Sequence, residues 1–140
     1  MKRIVSFILM LCMLCTALPH ALAQNPITVY VDNVAVIFDT DPVIENDRTL
    51  VPMRAIFEAL GATVAWEPES RTAVAEQNGT TVRITIDDIT MLKNDAPILL
   101  EAPAKLISDR TYVPVRAISE ALGKNVDWDD KTSTVIITDN

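Results

Sequence analysis

The chain has 140 residues, and its 19 acidic residues outnumber its 12 lysine and arginine residues to give a net charge of −7 at pH 7. Such a surface repels nucleic acid and anionic lipid, and no basic cluster reverses this locally. Both cysteines and the only histidine lie within residues 1–23. The remainder therefore lacks the side chains needed for zinc or copper sites and for thiol or imidazole catalysis.

The first 23 residues have the pattern of a secretory signal peptide. Residues 1–3 form a short basic head, residues 4–18 are an almost unbroken apolar run, and Ala21 and Ala23 are the small residues that signal peptidase reads. The run of about 15 residues is shorter than the roughly 20 that a membrane-spanning helix needs. We predict a signal peptide over residues 1–23 and a secreted or extracytoplasmic product that is not inserted in the membrane.

A lipoprotein anchor is the rival interpretation of this segment, because Cys12 and Cys15 lie in it. That anchor requires a small residue before the cysteine, whereas Leu11 and Leu14 stand there. Cleavage at the alanine site is therefore favoured. Without this segment the chain keeps its 19 acidic residues and 10 of its 12 basic ones, which gives a net charge of −9.

Residues 24–140 are predicted to consist of two copies of one unit. The stretch "DRTLVPMRAIFEALG", which begins at Asp47, returns as "DRTYVPVRAISEALG" from Asp109 onward. The shift that takes Asp47 to Asp109, here termed the sequence offset, also places Trp66 on Trp128 without a gap. Self-similarity at a fixed period indicates a repeated structural unit. We assign repeat one to residues 27–88 and repeat two to residues 89–140.

Each unit is predicted to begin with a β-hairpin and to continue into a short helix. The first hairpin turns at Asp32-Asn33 and the second at Asn94-Asp95, because these residue types tolerate the positive φ of a two-residue turn. A loop follows each hairpin. In repeat one, residues 49–51 are expected to be extended, because proline disfavours the helical region in the residue before it. Pro52 then fits the first turn of a helix.

The helices are predicted from apolar residues at helical spacing, with Gly61 and Gly123 as their stops. The residues predicted to face the structural core are Ile56, Leu60, Ile118 and Leu122.

Further strands are predicted at residues 63–66, 72–76, 80–86, 125–128 and 133–138. The fold class that follows is α+β, with two pseudo-repeats of about 62 residues that each contain antiparallel strands and one short helix. Each helix is expected to cover the half-sheet of its own repeat. The two repeats are expected to pack as one domain, because a unit of this size without disulfides or metal is marginal alone.

The segments "RTLVPMRAIFEALGATVAWEPESRTAV" and "RTYVPVRAISEALGKNVDWDDKTSTVII" resemble the copper amine oxidase N-terminal-like domain, or stalk domain, of exported bacterial proteins. The resemblance covers nearly all of residues 24–140. It implies a non-catalytic appendage, so no catalytic, metal-binding or cofactor-binding residue is transferred to this chain. The sequence departs from the family pattern at Asp47 and Asp109, where the family has glycine, and in hairpin turns that lack glycine after asparagine.

Trp66 and Trp128 are the candidate ligand contacts, because two equivalent aromatic side chains in a secreted domain could stack on a glycan. Alternation along a strand favours core packing instead, since Trp66 shares a face with Val64 and Trp128 shares one with Val126. We predict that both tryptophans serve the core, with sugar stacking as the alternative.

Two charged groups are interpreted as structural. Asp127, Asp129 and Asp130 could suggest calcium, but the segment lacks the glycine and the distal glutamate of a calcium loop, which favours a solvated turn. Arg116 and Glu120 stand four apart on a helix, where such a pair contributes only about 0.2–0.5 kcal/mol. A solvated helix face is the expectation there.

The expected function is that of a non-enzymatic exported module at the cell surface, which binds a cell-envelope protein or acts as a spacer. A cell-wall polysaccharide-binding module is the alternative, and it would need exposed aromatic side chains. Glycoside hydrolysis by carboxylates alone is disfavoured, because two small half-sheets give no reason to expect carboxylates facing each other across a cleft. No cofactor and no nucleic-acid partner are expected.

Overall fold

The computed structural model describes residues 26–140, so the predicted signal peptide at residues 1–23 lies outside the described residues. The described part contains thirteen β-strands and two α-helices, which confirms the mixed α+β class. The strands are β1 (Thr28–Val31), β2 (Val34–Ala35), β3 (Val43–Glu45), β4 (Arg48–Pro52), β5 (Thr63–Glu67), β6 (Thr72–Gln77), β7 (Thr80–Thr85), β8 (Thr90–Lys93), β9 (Ala96–Leu99), β10 (Lys105–Ile107), β11 (Arg110–Pro114), β12 (Lys124–Asp129) and β13 (Thr134–Asp139). The helices are α1 (Met53–Ala59) and α2 (Val115–Ala121).

The elements occur twice in the same order, at a spacing that matches the sequence offset. That offset takes strand β4 (Arg48–Pro52) onto strand β11 (Arg110–Pro114), and it takes helix α1 onto helix α2. Among residues 26–140 strand β7 is not repeated, and it connects the two halves.

The strands form three sheets, and each sheet contains strands from both halves of the chain. The strand orders are β12-β13-β1-β2, β10-β11-β4-β3 and β5-β6-β7-β8-β9. Hairpin β8-β9 thus completes the sheet of β5 and β6, while β1 pairs in parallel with β13, placing Thr28 opposite Thr134. Helix α1 packs mainly on β5 and helix α2 mainly on β12, strands of their own halves, but the sheets that contain these strands are completed by strands of the other half. Alternation specifies which side chains face a core, but it does not specify which strand lies alongside.

The two halves meet in an antiparallel pairing of β4 with β11. Val51 pairs with Val113, and Leu50 pairs with Pro114. Because the sequence offset takes Val51 to Val113, the pairing is centred on equivalent positions and its register is unchanged when the halves are exchanged. Both valines are fully buried, so the join between the halves lies inside the core.

Strands β3 and β10 occupy segments where sequence reasoning placed a loop. They pair with β4 and β11 across the tight turns Asn46-Asp47 and Ser108-Asp109, whose φ angles are 49°, 60°, 49° and 64°. Each of these strands has only three residues, too few for a period-two pattern to be recognised. The left-handed φ at Asp47 and Asp109 confirms that aspartate adopts the turn conformation in place of the family's glycine.

Both helices are short and end at a glycine. Each has seven residues and begins directly after a proline, and neither helix of the described part is long and apolar enough to cross a membrane. Gly61 and Gly123 follow with φ of 81° and 85°, the left-handed conformation that ends helices. At the end of α1, Gln77 Nε2 donates a hydrogen bond of 2.6 Å to the carbonyl oxygen of Leu60. This bond satisfies one of the carbonyls that a helix end leaves free.

One hydrophobic cluster contains buried residues from both halves and from both helices. The predicted core residues Ile56, Leu60 and Ile118 are 0%, 3% and 0% exposed. Leu122 is only partly buried and packs against this cluster. The four residues predicted for the core therefore contribute to it unequally.

We expect Gly61→Ala to lower the free energy of unfolding more than Gly123→Ala does. Both substitutions force alanine into the left-handed region, at a cost of about 1–2 kcal/mol. At Gly61 the new β-carbon would also lie 3.0 Å from Nε2 of Gln77, so the bond from Gln77 to Leu60 must shift. No atom lies within 4 Å of the corresponding β-carbon at Gly123. Urea unfolding of both variants checks the difference, and equal losses would show that Gln77 moves at no cost.

Candidate binding cleft

Trp66 and Trp128 lie at the surface, with 37% and 39% of each residue exposed. Neither belongs to the buried core cluster, so the prediction that they serve the core is wrong. Trp66 pairs with Ala73 and Trp128 with Val135, and both partners are buried, so the tryptophans share the core-facing side as alternation predicted. However, they lie on β5 and β12, each the outer strand of its sheet. No further strand of the described chain lies alongside β5 or β12 on its outer edge to shield the rings with its side chains.

Trp128 lines an open cleft of about 750 Å³, here termed the α2 cleft. Its walls come from helix α2, strand β12, strand β9 with the segment that follows it, and hairpin β3-β4. Leu99 and Ile44 stand in it with 74% and 55% of each residue exposed. The side chains that characterise the cleft are Ile44, Arg48, Leu99, Arg116, Trp128 and Asp130.

Arg116 joins helix α2 to strand β12 in this cleft. Its Nη1 donates a hydrogen bond of 2.9 Å to the carbonyl oxygen of Val126 and one of 3.4 Å to Glu120 Oε2. The four-residue spacing of Arg116 and Glu120 predicted only a solvated pair on the helix face. The bond to Val126 adds a tertiary contact, which holds the helix and the strand that carries Trp128 together.

Two of the three basic side chains in the α2 cleft are neutralised within the described chain. Arg48 forms an ion pair with Glu101, and Arg116 forms one with Glu120. Both pairs are about half exposed, so each contributes little stability and remains open to exchange with a ligand. Lys93 lines the cleft without an ion-pair partner among residues 26–140.

Three carboxylates of the α2 cleft also have no ion-pair partner in the part of the chain that the structure describes. They are Asp47, Asp127 and Asp130. Asp130 Oδ1 accepts a hydrogen bond of 3.3 Å from Trp128 Nε1, which ties the indole to the turn that follows β12. Because three unpaired carboxylates face one unpaired lysine, the cleft has a negative surface beside its apolar one.

A second cleft of about 370 Å³ lies at the corresponding place beside helix α1 and is termed the α1 cleft. It is lined by Val31, Val34, Ala35, Val36, Ile37, Ala55, Glu58 and Ala59. The sequence offset takes six of these eight residues onto a residue of the α2 cleft. Ile37, which is 89% exposed, is the counterpart of Leu99. The clefts differ in two respects that bear on ligands, because neither Trp66 nor any aspartate lines the α1 cleft.

The described residues do not fit a copper site. Copper in proteins is bound mainly by imidazole and sulfur ligands, and the only histidine and both cysteines precede residue 24. Within residues 26–140 no three His, Cys, Asp or Glu side chains are grouped so that they could hold a metal ion. Asp127, Asp129 and Asp130 therefore form no metal cluster.

The family model of the copper amine oxidase N-terminal domain matches residues 30–137, a range that includes both helices and the whole sheet β10-β11-β4-β3. The chain belongs to this family. The resemblance inferred from the repeated R-T-x-V-P-x-R-A-I segment is thereby confirmed. In a copper amine oxidase this domain is a non-catalytic module. No curated protein matches the chain.

Trp128 was predicted from the sequence as a candidate ligand contact, whereas the aliphatic side chains that line the same cleft were not. A usable signal was present at residues 98–100, where three apolar residues stand in succession. Successive side chains of a strand point to opposite faces, so they cannot all face one core. Leu100 is buried, while Leu99 is among the most exposed large side chains of the described chain. Ile44 carries no comparable signal, because its strand is too short.

Proposed function

We propose that this chain is a non-catalytic, exported module that binds another protein at the cell surface. Membership of the copper amine oxidase N-terminal domain family supports the non-catalytic part. The signal-peptide pattern of residues 1–23 supports export. The α2 cleft supports binding over a spacer role, because a spacer has no need of an open cleft with apolar walls.

The observation that carries the binding proposal is the exposure of three large apolar side chains in one cleft. Leu99, Ile44 and Trp128 are 74%, 55% and 39% exposed, and all three line the α2 cleft. Single exposed apolar residues are normal, whereas a group of them marks an interaction site. A partner that covers them gains about 25 cal/mol for each Å² of apolar surface removed from water.

Leucine and isoleucine in the cleft favour a protein partner over a glycan. Aliphatic side chains of a partner pack well against Leu99 and Ile44, whereas a sugar ring stacks on aromatic faces and needs polar groups around it. One observation supports the polysaccharide-binding alternative, namely the exposed indole of Trp128 next to Asp130. It remains the second candidate function.

We also infer that the two halves are copies of one unit, repeat one at residues 27–88 and repeat two at residues 89–140. The constant sequence offset between equivalent strands and helices supports this inference. The β4–β11 pairing, centred on Val51 and Val113, supports it as well. The α1 cleft is then the counterpart of the α2 cleft, which supplies matched positions for control variants.

Peptide display on the immobilised protein tests the proposed function. We expect selection to enrich peptides with apolar side chains, and we expect Leu99→Gln to abolish that enrichment because it removes apolar surface from the α2 cleft. Ile37→Gln makes the same change at the counterpart position in the α1 cleft and should leave it intact. Failure to enrich any peptide, together with saturable quenching of tryptophan fluorescence by cell-wall polysaccharide, would replace the protein-binding proposal by the glycan alternative.

A further inference from the structure

We propose that the occupant of the α2 cleft is a short segment of a partner protein that carries a lysine or arginine beside apolar side chains. This inference rests on the proposed protein-binding function and specifies the chemistry of the partner. The apolar requirement comes from Leu99, Ile44 and Trp128, which are all exposed in the cleft. The cationic requirement comes from the distribution of charge around them.

Charge complementarity is the argument for a basic side chain. Asp47, Asp127 and Asp130 line the cleft, and none has an ion-pair partner among residues 26–140. Lys93 is the one basic side chain lining the cleft that also has no ion-pair partner among these residues. A cation entering the cleft therefore meets carboxylates whose attraction is not already used, whereas an anion meets repulsion.

Trp128 supplies a second reason to expect a cation at this place. A lysine ammonium or an arginine guanidinium over an indole face is attracted by the negative face of the ring. The indole N–H of Trp128 already donates to Asp130, so a ligand meets the ring surface together with a carboxylate that reinforces the preference for positive charge.

The size of the cleft and the nature of strand β9 limit how the segment binds. A volume of about 750 Å³ falls within the roughly 300–1,000 Å³ typical of ligand pockets, which suits a few residues and not a whole helix. Strand β9 is the outer strand of its sheet, but Pro97 removes one backbone donor from it. Side chains, and not the addition of a strand along β9, are therefore expected to provide most of the contacts.

A second copy of this chain fits the α2 cleft poorly. Residues 24–140 carry a net charge of −9, so two copies repel each other and neither brings an excess of basic side chains. A partner segment with basic side chains is instead attracted by this negative charge.

The test uses three seven-residue probe peptides that share alternating leucines and carry lysine, glutamine or glutamate between them. The chain contains two tryptophans, so Trp66→Phe leaves Trp128 as its sole indole reporter. We expect the lysine peptide to change the emission of Trp128 saturably, with a dissociation constant about tenfold below that of the glutamine peptide at low salt. The glutamate peptide should bind most weakly. Calorimetry on the unsubstituted chain should give the same order without relying on the tryptophan substitution.

Two variants locate the effect in the cleft. Asp127→Asn combined with Asp130→Asn should remove most of the preference for the lysine peptide, while Glu69→Gln, an exposed carboxylate outside the cleft, should leave it unchanged. Raising the salt to about 1 M, where the Debye length is about 3 Å, should reduce the preference in the same way. Leu99→Gln should weaken the binding of all three peptides.

The outcomes separate this inference from the function on which it rests. Equal binding of the lysine and glutamine peptides would overturn the cationic requirement and leave protein binding intact. Lysine-peptide binding that persists in Leu99→Gln and in the double aspartate variant would overturn the inference, because it reports general attraction to an acidic surface. If no peptide binds while cell-wall polysaccharide quenches Trp128, the protein-binding proposal itself is wrong.

Discussion

A chain that stops at residue 88 should not fold by itself. In the whole chain β1 lies between β13 and β2, and β4 lies between β11 and β3. The first half alone keeps β2 and β3 but loses β13 and β11, so one edge of β1 and one edge of β4 are left unpaired. The same truncation removes hairpin β8-β9 from the sheet of β5, β6 and β7. A unit of this size buries only about 60% of its unfolded surface even when complete. Circular dichroism of residues 24–88 is therefore expected to show neither a stable β-sheet signal nor a cooperative melting transition.

Mixing the two halves provides the matched control for this result. Residues 24–88 and residues 89–140 together contain every strand of the three sheets, so an equimolar mixture should regain β-sheet signal as the strands pair between fragments. A cooperative transition from residues 24–88 alone would contradict the strand order, in which each half supplies strands to sheets that it shares with the other half. It would show instead that each half is an independent domain with its own sheet.

The substitution Phe57→Ala should lower the free energy of unfolding by about 3–5 kcal/mol, which is a large part of the stability of a small domain. Phe57 is fully buried on α1 in the cluster that contains core residues from both halves. Removing the ring leaves a cavity that a close-packed core closes only in part. Urea unfolding followed by circular dichroism measures the loss, and we expect one transition because the cluster is shared.

The counterpart position provides the control, because the sequence offset takes Phe57 to Ser119, which is also fully buried. The Oγ of Ser119 has no hydrogen-bond partner, so Ser119→Ala removes an unsatisfied polar group and should leave stability unchanged or slightly raised. A loss at Ser119 as large as the loss at Phe57 would show that the serine hydroxyl is bonded and that the cores of the two halves are equivalent.

Local features of this fold could be predicted from the sequence. The helices follow from apolar residues at helical spacing, which end at Gly61 and Gly123, and both glycines adopt positive φ. The hairpin turns at Asp32-Asn33 and Asn94-Asp95 follow from residues that tolerate the same conformation, and all four have positive φ. These features depend on neighbouring residues alone, so the information needed to predict them is present in a short stretch of sequence.

Pairings between distant strands could not be predicted in this way. Strand β1 lies beside β13, with Thr28 opposite Thr134, although each has the same alternation as strands that pair elsewhere. The position of a strand within its sheet is equally hidden, and that position decides the exposure of Trp66 and Trp128. Alternation correctly placed both tryptophans on the core-facing side. It could not reveal that β5 and β12 are outer strands.

The α2 cleft was missed for the same physical reason. Its walls come from segments that are far apart in sequence, and Ile44, Leu99 and Trp128 meet only because the sheets exchange strands between the halves. Of these residues only Trp128 has a side chain that suggests a ligand from its chemistry alone. A site assembled across both halves becomes visible only when the strand order is known.

Nuclear magnetic resonance of the two indole N–H groups can show whether a peptide occupies the α2 cleft, because Trp66 serves as an internal control for Trp128 in the unsubstituted chain. The lysine-containing probe peptide should shift the Trp128 signal progressively to saturation, since this residue lines the α2 cleft. The Trp66 signal should stay in place, because Trp66 lines neither cleft. Equal shifts of both signals, or a Trp128 signal that does not move while the peptide binds, would contradict the assignment of the α2 cleft as the binding site.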